Sequence, residues 1–265
     1  MNLVFPTLWA FAGSLAWLVL VVNAAGGVLE IDVVFPRSNE TYAPTDKFPI
    51  VFALQNAQLA KHLDPTIRSF VRNGSNLELA FGHDHDDLAN ANYTTEPYFV
   101  YRYLNVNAEG PYELFATTSW KSCNESGDQV SMLGNTSSFG VDFTIKSGAE
   151  EVDLVAATAK DEPCSQAGVA ISVTDQTREL PPSGDQPART CAVLASSSPS
   201  PTTNPCRVKI DAAVVASMSA AVHAASCKGP NPPADCPKEN AVQELAVAGV
   251  VCLAAALGAI GFLLG

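Results

Sequence analysis

Leu29-Glu30-Ile31-Asp32-Val33-Val34-Phe35 decides the class of fold. Leu29, Ile31, Val33 and Phe35 alternate with Glu30, Asp32 and Val34, the period of an extended strand with one apolar face. The same period returns at Phe48, Ile50, Phe52 and Leu54, then at Leu77, Leu79 and Phe81, and at Phe99, Tyr101 and Tyr103. It returns again at Tyr112, Leu114, Ala116 and Trp120, and at Phe139, Val141, Phe143 and Ile145. Pro, Gly, Asn and Asp fill the links, the residues that turn a chain. Repeated half-buried strands with almost no helical pattern between them predict a mainly β, antiparallel β-sandwich.

Gly110-Pro111-Tyr112 at a strand entrance resembles an immunoglobulin-type corner, so the sandwich is expected to be immunoglobulin-like and to span residues 25–146. Beyond Lys146 the texture changes. Val152–Ala157 and Val169–Val173 are further strand candidates, and Cys191–Leu194 and Cys206–Ile210 read as two arms around a Ser/Thr/Pro loop at Ser196–Pro205. Ile210, Val214, Met218, Val222 and Ala225 then recur at helical spacing, which predicts one amphipathic helix over 210–226. Residues 147–240 are thus expected to form a disulfide-rich extension packed on the sandwich.

The chain has 265 residues and a formal net charge of −12. A surface of that sign repels nucleic acid and anionic lipid headgroups. Met1–Ala25 carries no charged side chain, and Leu8–Val22 has the length of a signal-peptide core, so residues 1–24 read as a cleaved signal. Five N-glycosylation sequons fall at Asn39, Asn73, Asn92, Asn124 and Asn135. Cys123, Cys164, Cys191, Cys206, Cys227 and Cys236 read as three disulfides; no CxxC pair occurs. The tight loop between Cys227 and Cys236 favours a bond between those two. Cys252 lies apart, inside a C-terminal apolar run.

That run, Leu245–Gly265, is uncharged and long enough to span a bilayer as a hydrophobic helix. No basic residue follows it, so residues 241–265 fit a glycosylphosphatidylinositol (GPI) signal as well as a retained helix. Asn240 is the attachment position that keeps Cys236. Either way the expected location is the outer face of the plasma membrane or the cell wall, reached through the secretory pathway.

Candidate chemistry is sparse. Gly82-His83-Asp84-His85-Asp86-Asp87 alone has metal-ligand composition, through His83, His85 and Asp87. A polar loop after the Leu77–Phe81 strand is the favoured reading, with no metal and no cofactor. No nucleophile elbow, Rossmann or P-loop fingerprint is present, so no catalytic residue is assigned. Tyr98, Phe99, Tyr101 and Tyr103 fit a sugar-stacking platform, but rings at period two more often fill a core. Trp120 reads as a core side chain beside a disulfide.

Glu30–Arg37, Asn39–Pro44 and Phe48–Ala53 resemble the opening of a family of secreted fungal proteins known as a domain of unknown function. Trp120–Cys123, Val152–Ala157, Pro205–Asp211 and Asn231–Cys236 are similar to its later blocks. The resemblance implies a fungal cell-surface protein and supplies no catalytic residues. The expected function is a non-enzymatic, glycosylated surface or cell-wall protein that binds or presents something outside the cell, a wall polysaccharide or another surface protein. The alternatives are a carbohydrate-binding module, favoured by an exposed aromatic row, and a secreted hydrolase or metal-dependent oxidase, favoured by convergent carboxylates or histidines.

Overall fold

The computed structural model describes residues 26–126, 129–161, 167–182, 187–195, 201–230 and 232–237. The expected signal at 1–24, the segment 241–265, Cys164, Cys252 and residues 196–200 of the Ser/Thr/Pro loop lie outside the described residues. Among the described residues no helix is long and apolar enough to cross a membrane.

In chain order the strands are β1 (Gly27–Phe35), β2 (Thr41–Tyr42), β3 (Thr45–Gln55), β4 (Thr66–Asn73), β5 (Asn76–Asp87), β6 (Tyr98–Val106), β7 (Gly110–Ser126), β8 (Gln129–Ile145), β9 (Gly168–Leu180) and β10 (Arg189–Leu194). Helix α1 (Leu154–Ala159) precedes β9, and α2 (Ala212–Ser226) follows β10. They form two five-stranded sheets, ordered β10-β9-β1-β3-β6 and β2-β8-β7-β4-β5.

Within these sheets, β1-β3-β6 and β8-β7-β4-β5 keep the A-B-E and G-F-C-C′ neighbour order of immunoglobulin sandwiches. The Tyr112 hydroxyl donates to the Ala108 carbonyl at 2.8 Å, the corner expected at the mouth of β7. Two features depart from the expectation. The two-residue β2 runs parallel to β8, where an all-antiparallel sandwich was expected. The other departure is that Cys191, expected in an extension beyond the sandwich, lies in β10 of the first sheet and is bonded to Cys123 of β7 in the second.

The core lies between the sheets. Phe48 of β3 stacks on Phe143 of β8 with ring centroids 5.0 Å apart, and Phe35 and Tyr42 close on the same cluster. Leu29, Ile31, Ile50, Phe52, Leu54, Ile67 and Leu114 are fully buried with them. Each such side chain contributes roughly 1.5–3 kcal/mol by leaving water.

The C-terminal half joins this framework. β9 pairs with β1 from Gly27↔Val173 to Asp32↔Gly168, so residues from 147–240 extend the first sheet. Val152–Ala157, expected to be a strand, lies mostly in α1. Asp153 caps that helix by accepting from the Ala156 amide at 3.0 Å, and the Ala-rich run behind it favours a helix over an isolated extended segment. Cys206–Ile210, expected as a strand arm, instead begins in a 3-10 turn, Pro205–Arg207, where proline has no amide to give a ladder. Asp211 caps α2 through the Val214 amide at 2.8 Å, and Met218 is the residue that helix buries. Cys227 and Cys236 are bonded to each other just beyond it.

Candidate functional site

The two sheets differ in what covers their outer faces. On the first sheet, pairing of β3 with β6 sets Pro49, Val51 and Ala53 beside Tyr103, Tyr101 and Phe99. Since Phe48 points inward, this row points outward, and α2 lies over it: Met218 and Val214 line a hollow with Phe99 and Tyr101, and the Tyr103 hydroxyl is 3.3 Å from that of Ser219. The aromatic row expected in the core is therefore wedged between β6 and α2, and Tyr98 turns to meet Tyr93 at 5.2 Å.

Next to it, Glu30 and Asp32 of β1 face outward but are 5% and 0% exposed. Alternation marks the solvent side of a strand only when that side meets water, and here the 204–207 turn closes it. The Asn204 amide donates to Glu30 at 2.9 Å, and Arg207 pairs with the same carboxylate. Gln55 donates to Asp32 Oδ2 at 2.6 Å, while Asp32 Oδ1 is buried without a hydrogen-bond partner. Burial pushes the Asp32 carboxyl up to about 7, with Gln55 opposing it and Glu30 adding to it. Two carboxylates converge, but sealed beneath the chain rather than in a cleft.

Among the described residues, no segment covers the outer side of the second sheet. Ile67, Ser69 and Val71 of β4 are buried, so Thr66, Arg68, Phe70 and Arg72 face out. Register then fixes the whole face. Asp87, Thr66, Ser119 and Thr136 form one row across the strands; His85, Arg68, Thr117 and Ser138 form the next. His83, Phe70, Phe115 and Gly140 form a third, with ring centroids 5.2 Å (His83–Phe70) and 5.3 Å (Phe70–Phe115) apart. Arg72 pairs with Glu113 in the fourth. Thr117 and Ser138 share a hydrogen bond of 2.9 Å, and Ser119 and Thr136 one of 3.3 Å.

His83–Asp87, expected as a loop, is thus the end of strand β5. The sequence signal is Gly82, at φ +61°, which makes a bulge there and shifts the pairing by one residue. A side chain at Gly82 would stand 2.6 Å from Leu104, so only glycine fits. Period two then separates the candidate ligands. His83, His85 and Asp87 take the open face, and His83 stacks on Phe70. Asp84 and Asp86 turn inward to Arg102, at 3.4 and 3.9 Å. Burial, then Asp84, raise the Asp86 carboxyl. Among the described residues, the group of three potential metal donors within 4.8 Å is His223, Cys227 and Cys236, and its two cysteines are disulfide-bonded.

The first row ends in a cleft of about 460 Å³. Thr66, Asp87, Ser119 and Thr136 meet Trp120, Asn135, Asp64, Lys121 and Arg189 there. Asp64 accepts from both Lys121 and Arg189, which ties the β7–β8 and β9–β10 hairpins together beside the Cys123–Cys191 bond. Trp120 packs against the core on one side and lines this cleft on the other.

Four of the five sequon asparagines belong to strands of this sheet or bond to one. Asn39 is exposed in a turn whose backbone bonds to Asp142 of β8, Asn73 ends β4, and Asn92 and Asn124 are exposed. Asn135 is half-buried, its amide donating to the Ser122 hydroxyl at 3.0 Å and the Leu133 carbonyl at 3.3 Å. None of the five lies in the His85 or His83 rows.

A family model described as a domain of unknown function, DUF7136, matches residues 24–236. The chain belongs to that family. No curated protein and no solved structure matches it. The DUF7136 match takes in both sheets, both helices and the Cys227–Cys236 loop, so the C-terminal segment that seals the first sheet is part of the family's unit. Sequence reading passed over the open face of this DUF7136 domain because its residues come from β5, β4, β7 and β8, and only register places them together.

Proposed function

We propose that this DUF7136 chain is a non-enzymatic, glycosylated surface protein that offers the outer face of its second sheet to the extracellular space. The observation that carries this reading is the asymmetry of the sandwich: one outer face is sealed by the chain's own C-terminal segment, and among the described residues the other is left open, with four of the five sequons on or bonded to its own strands. In the fungal setting that the sequence resemblance implies, the signal at 1–24 delivers the chain. Residues 241–265 then hold it at the outer membrane face, as a GPI signal or a retained helix. A hydrolase needs carboxylates that a substrate can reach. The converging pair Glu30 and Asp32 is buried and offers a substrate no such access.

Expression of the full chain in a eukaryotic host tests the proposal. The expected protein is labelled by a membrane-impermeant reagent on intact cells, loses mass on treatment with an N-glycosidase, and migrates faster unreduced than reduced. Release by a phosphatidylinositol-specific phospholipase identifies the GPI form; retention identifies the helix. A cytosolic, unglycosylated chain with reduced cysteines overturns the reading.

A further inference from the structure

We infer that the cleft at the Trp120 end of the open face binds a neutral polysaccharide chain, which runs from there along the row of His85, Arg68, Thr117 and Ser138. The inference rests on the surface-protein reading above and adds a ligand class to it.

The cleft's lining selects the ligand. Its charges balance: Asp64 and Asp87 against Lys121 and Arg189. In a protein of net charge −12, a polyanion is repelled at long range and finds no surplus cation in the cleft. The cleft also presents the hydroxyls of Thr66, Ser119 and Thr136, which both donate and accept. A polyol needs such groups, because each hydroxyl it loses from water has to be matched. Trp120 adds an apolar surface for the C–H side of a sugar ring.

Size and surroundings agree. About 460 Å³ lies within the range of roughly 300–1,000 Å³ typical of small-ligand sites. The adjoining row extends the same chemistry over four strands, with Arg68 and His85 as donors beside the Thr117–Ser138 pair. Sequons at Asn39, whose backbone bonds to β8, and Asn73, which ends β4, lie away from the cleft on the same sheet, and glycans there leave a lane for a slender chain while holding off a globular partner.

The test is titration of the full chain, purified with its glycans, with chitohexaose, laminarihexaose and mannohexaose, and with hexagalacturonate as the charged counterpart. At least one neutral hexasaccharide is expected to bind, and hexagalacturonate is expected not to. Thr136→Arg fills the cleft from an exposed position and leaves the sequon intact; it lowers the affinity about tenfold or more. Trp120→Leu does the same, and a thermal melt shows whether that variant is folded. Arg72→Ala, outside the cleft, leaves binding unchanged. Silence from all three neutral sugars, a preference for hexagalacturonate, or binding that survives Thr136→Arg overturns the inference. So does binding that appears only in Asn135→Gln, which would make the chain's own glycan the occupant. A chain that reaches the cell surface but fails these titrations refutes the ligand and leaves the surface-protein reading standing.

Discussion

β1 and β4 both alternate apolar and polar side chains, yet their polar faces meet opposite ends. Arg68 of β4 is exposed on an open sheet, whereas Asp32 of β1 has no exposed surface at all. The difference comes from what returns to cover each sheet. The segment after β10 folds across β1, β3 and β6, and nothing in the described chain crosses β4, β7 and β8 in that way. A strand's own pattern thus reports its inner face reliably and its outer face only provisionally. The outer face is settled by residues far along the chain.

The largest expected effect is on acid–base behaviour of the sealed face. Asp32 is held protonated to about pH 7 in the folded protein, against an ordinary carboxyl value of 3.8 when unfolded. Its contribution to stability is therefore complete below the unfolded value and is lost as pH rises through about 7. Denaturant unfolding at about pH 4 and pH 8 should show up to about 4 kcal/mol of difference attributable to this group. Asp32→Asn should remove that difference. A pH profile identical in the two proteins breaks the contrast between the faces.

Gly168→Val comes next. A Cβ at Gly168 would stand 2.5 Å from the Ile31 carbonyl and 2.6 Å from Asp32 Oδ1, so β9 must pull away from β1. A loss of about 3 kcal/mol is expected. The matching change on the β8 strand, Gly134→Val, meets nothing within 4 Å and should stay within about 0.5 kcal/mol of wild type.

Arg207→Ala removes the cation that faces buried Glu30. Arg207 is half-exposed, so solvent screens part of the interaction, and a cost of about 2 kcal/mol is expected in chemical unfolding. Arg72→Ala breaks the Glu113 pair on the open face, where both partners reach water, and should cost less than about 1 kcal/mol. Equal costs for the two arginines would erase the distinction. The smallest effect is expected from His85→Ala, within about 0.5 kcal/mol, since its side chain is exposed.

Much of the fold was legible because period two is a local property. Leu29 to Phe35, Phe48 to Leu54 and Phe139 to Ile145 each declare an inner face without reference to the rest of the chain. Val169–Val173 and the 210–226 helix were legible for the same reason. Val152–Ala157 reads as a strand because a short apolar run fits either period, and the Asp153 cap is what decides for a helix. The burial of Glu30 and Asp32 was not legible, because it depends on Asn204 and Arg207, more than 170 positions away. Nor was the candidate site: Thr66, Ser119 and Thr136 are unremarkable alone, and only the register of three strands makes them the floor of one cleft.

The pairing of β9 with β1 also bears on how this chain avoids aggregation. β1 is buried from Leu29 through Phe35. Without β9 it would be the bare margin of its sheet, a row of unpaired amides and carbonyls along a greasy, β-branched segment. A chain cut after residue 146 keeps every strand of the immunoglobulin order and loses the strand that guards its first one. Such a fragment should recruit other copies through β1, so the segment after residue 146 serves as the sandwich's built-in protection against edge-to-edge polymerisation.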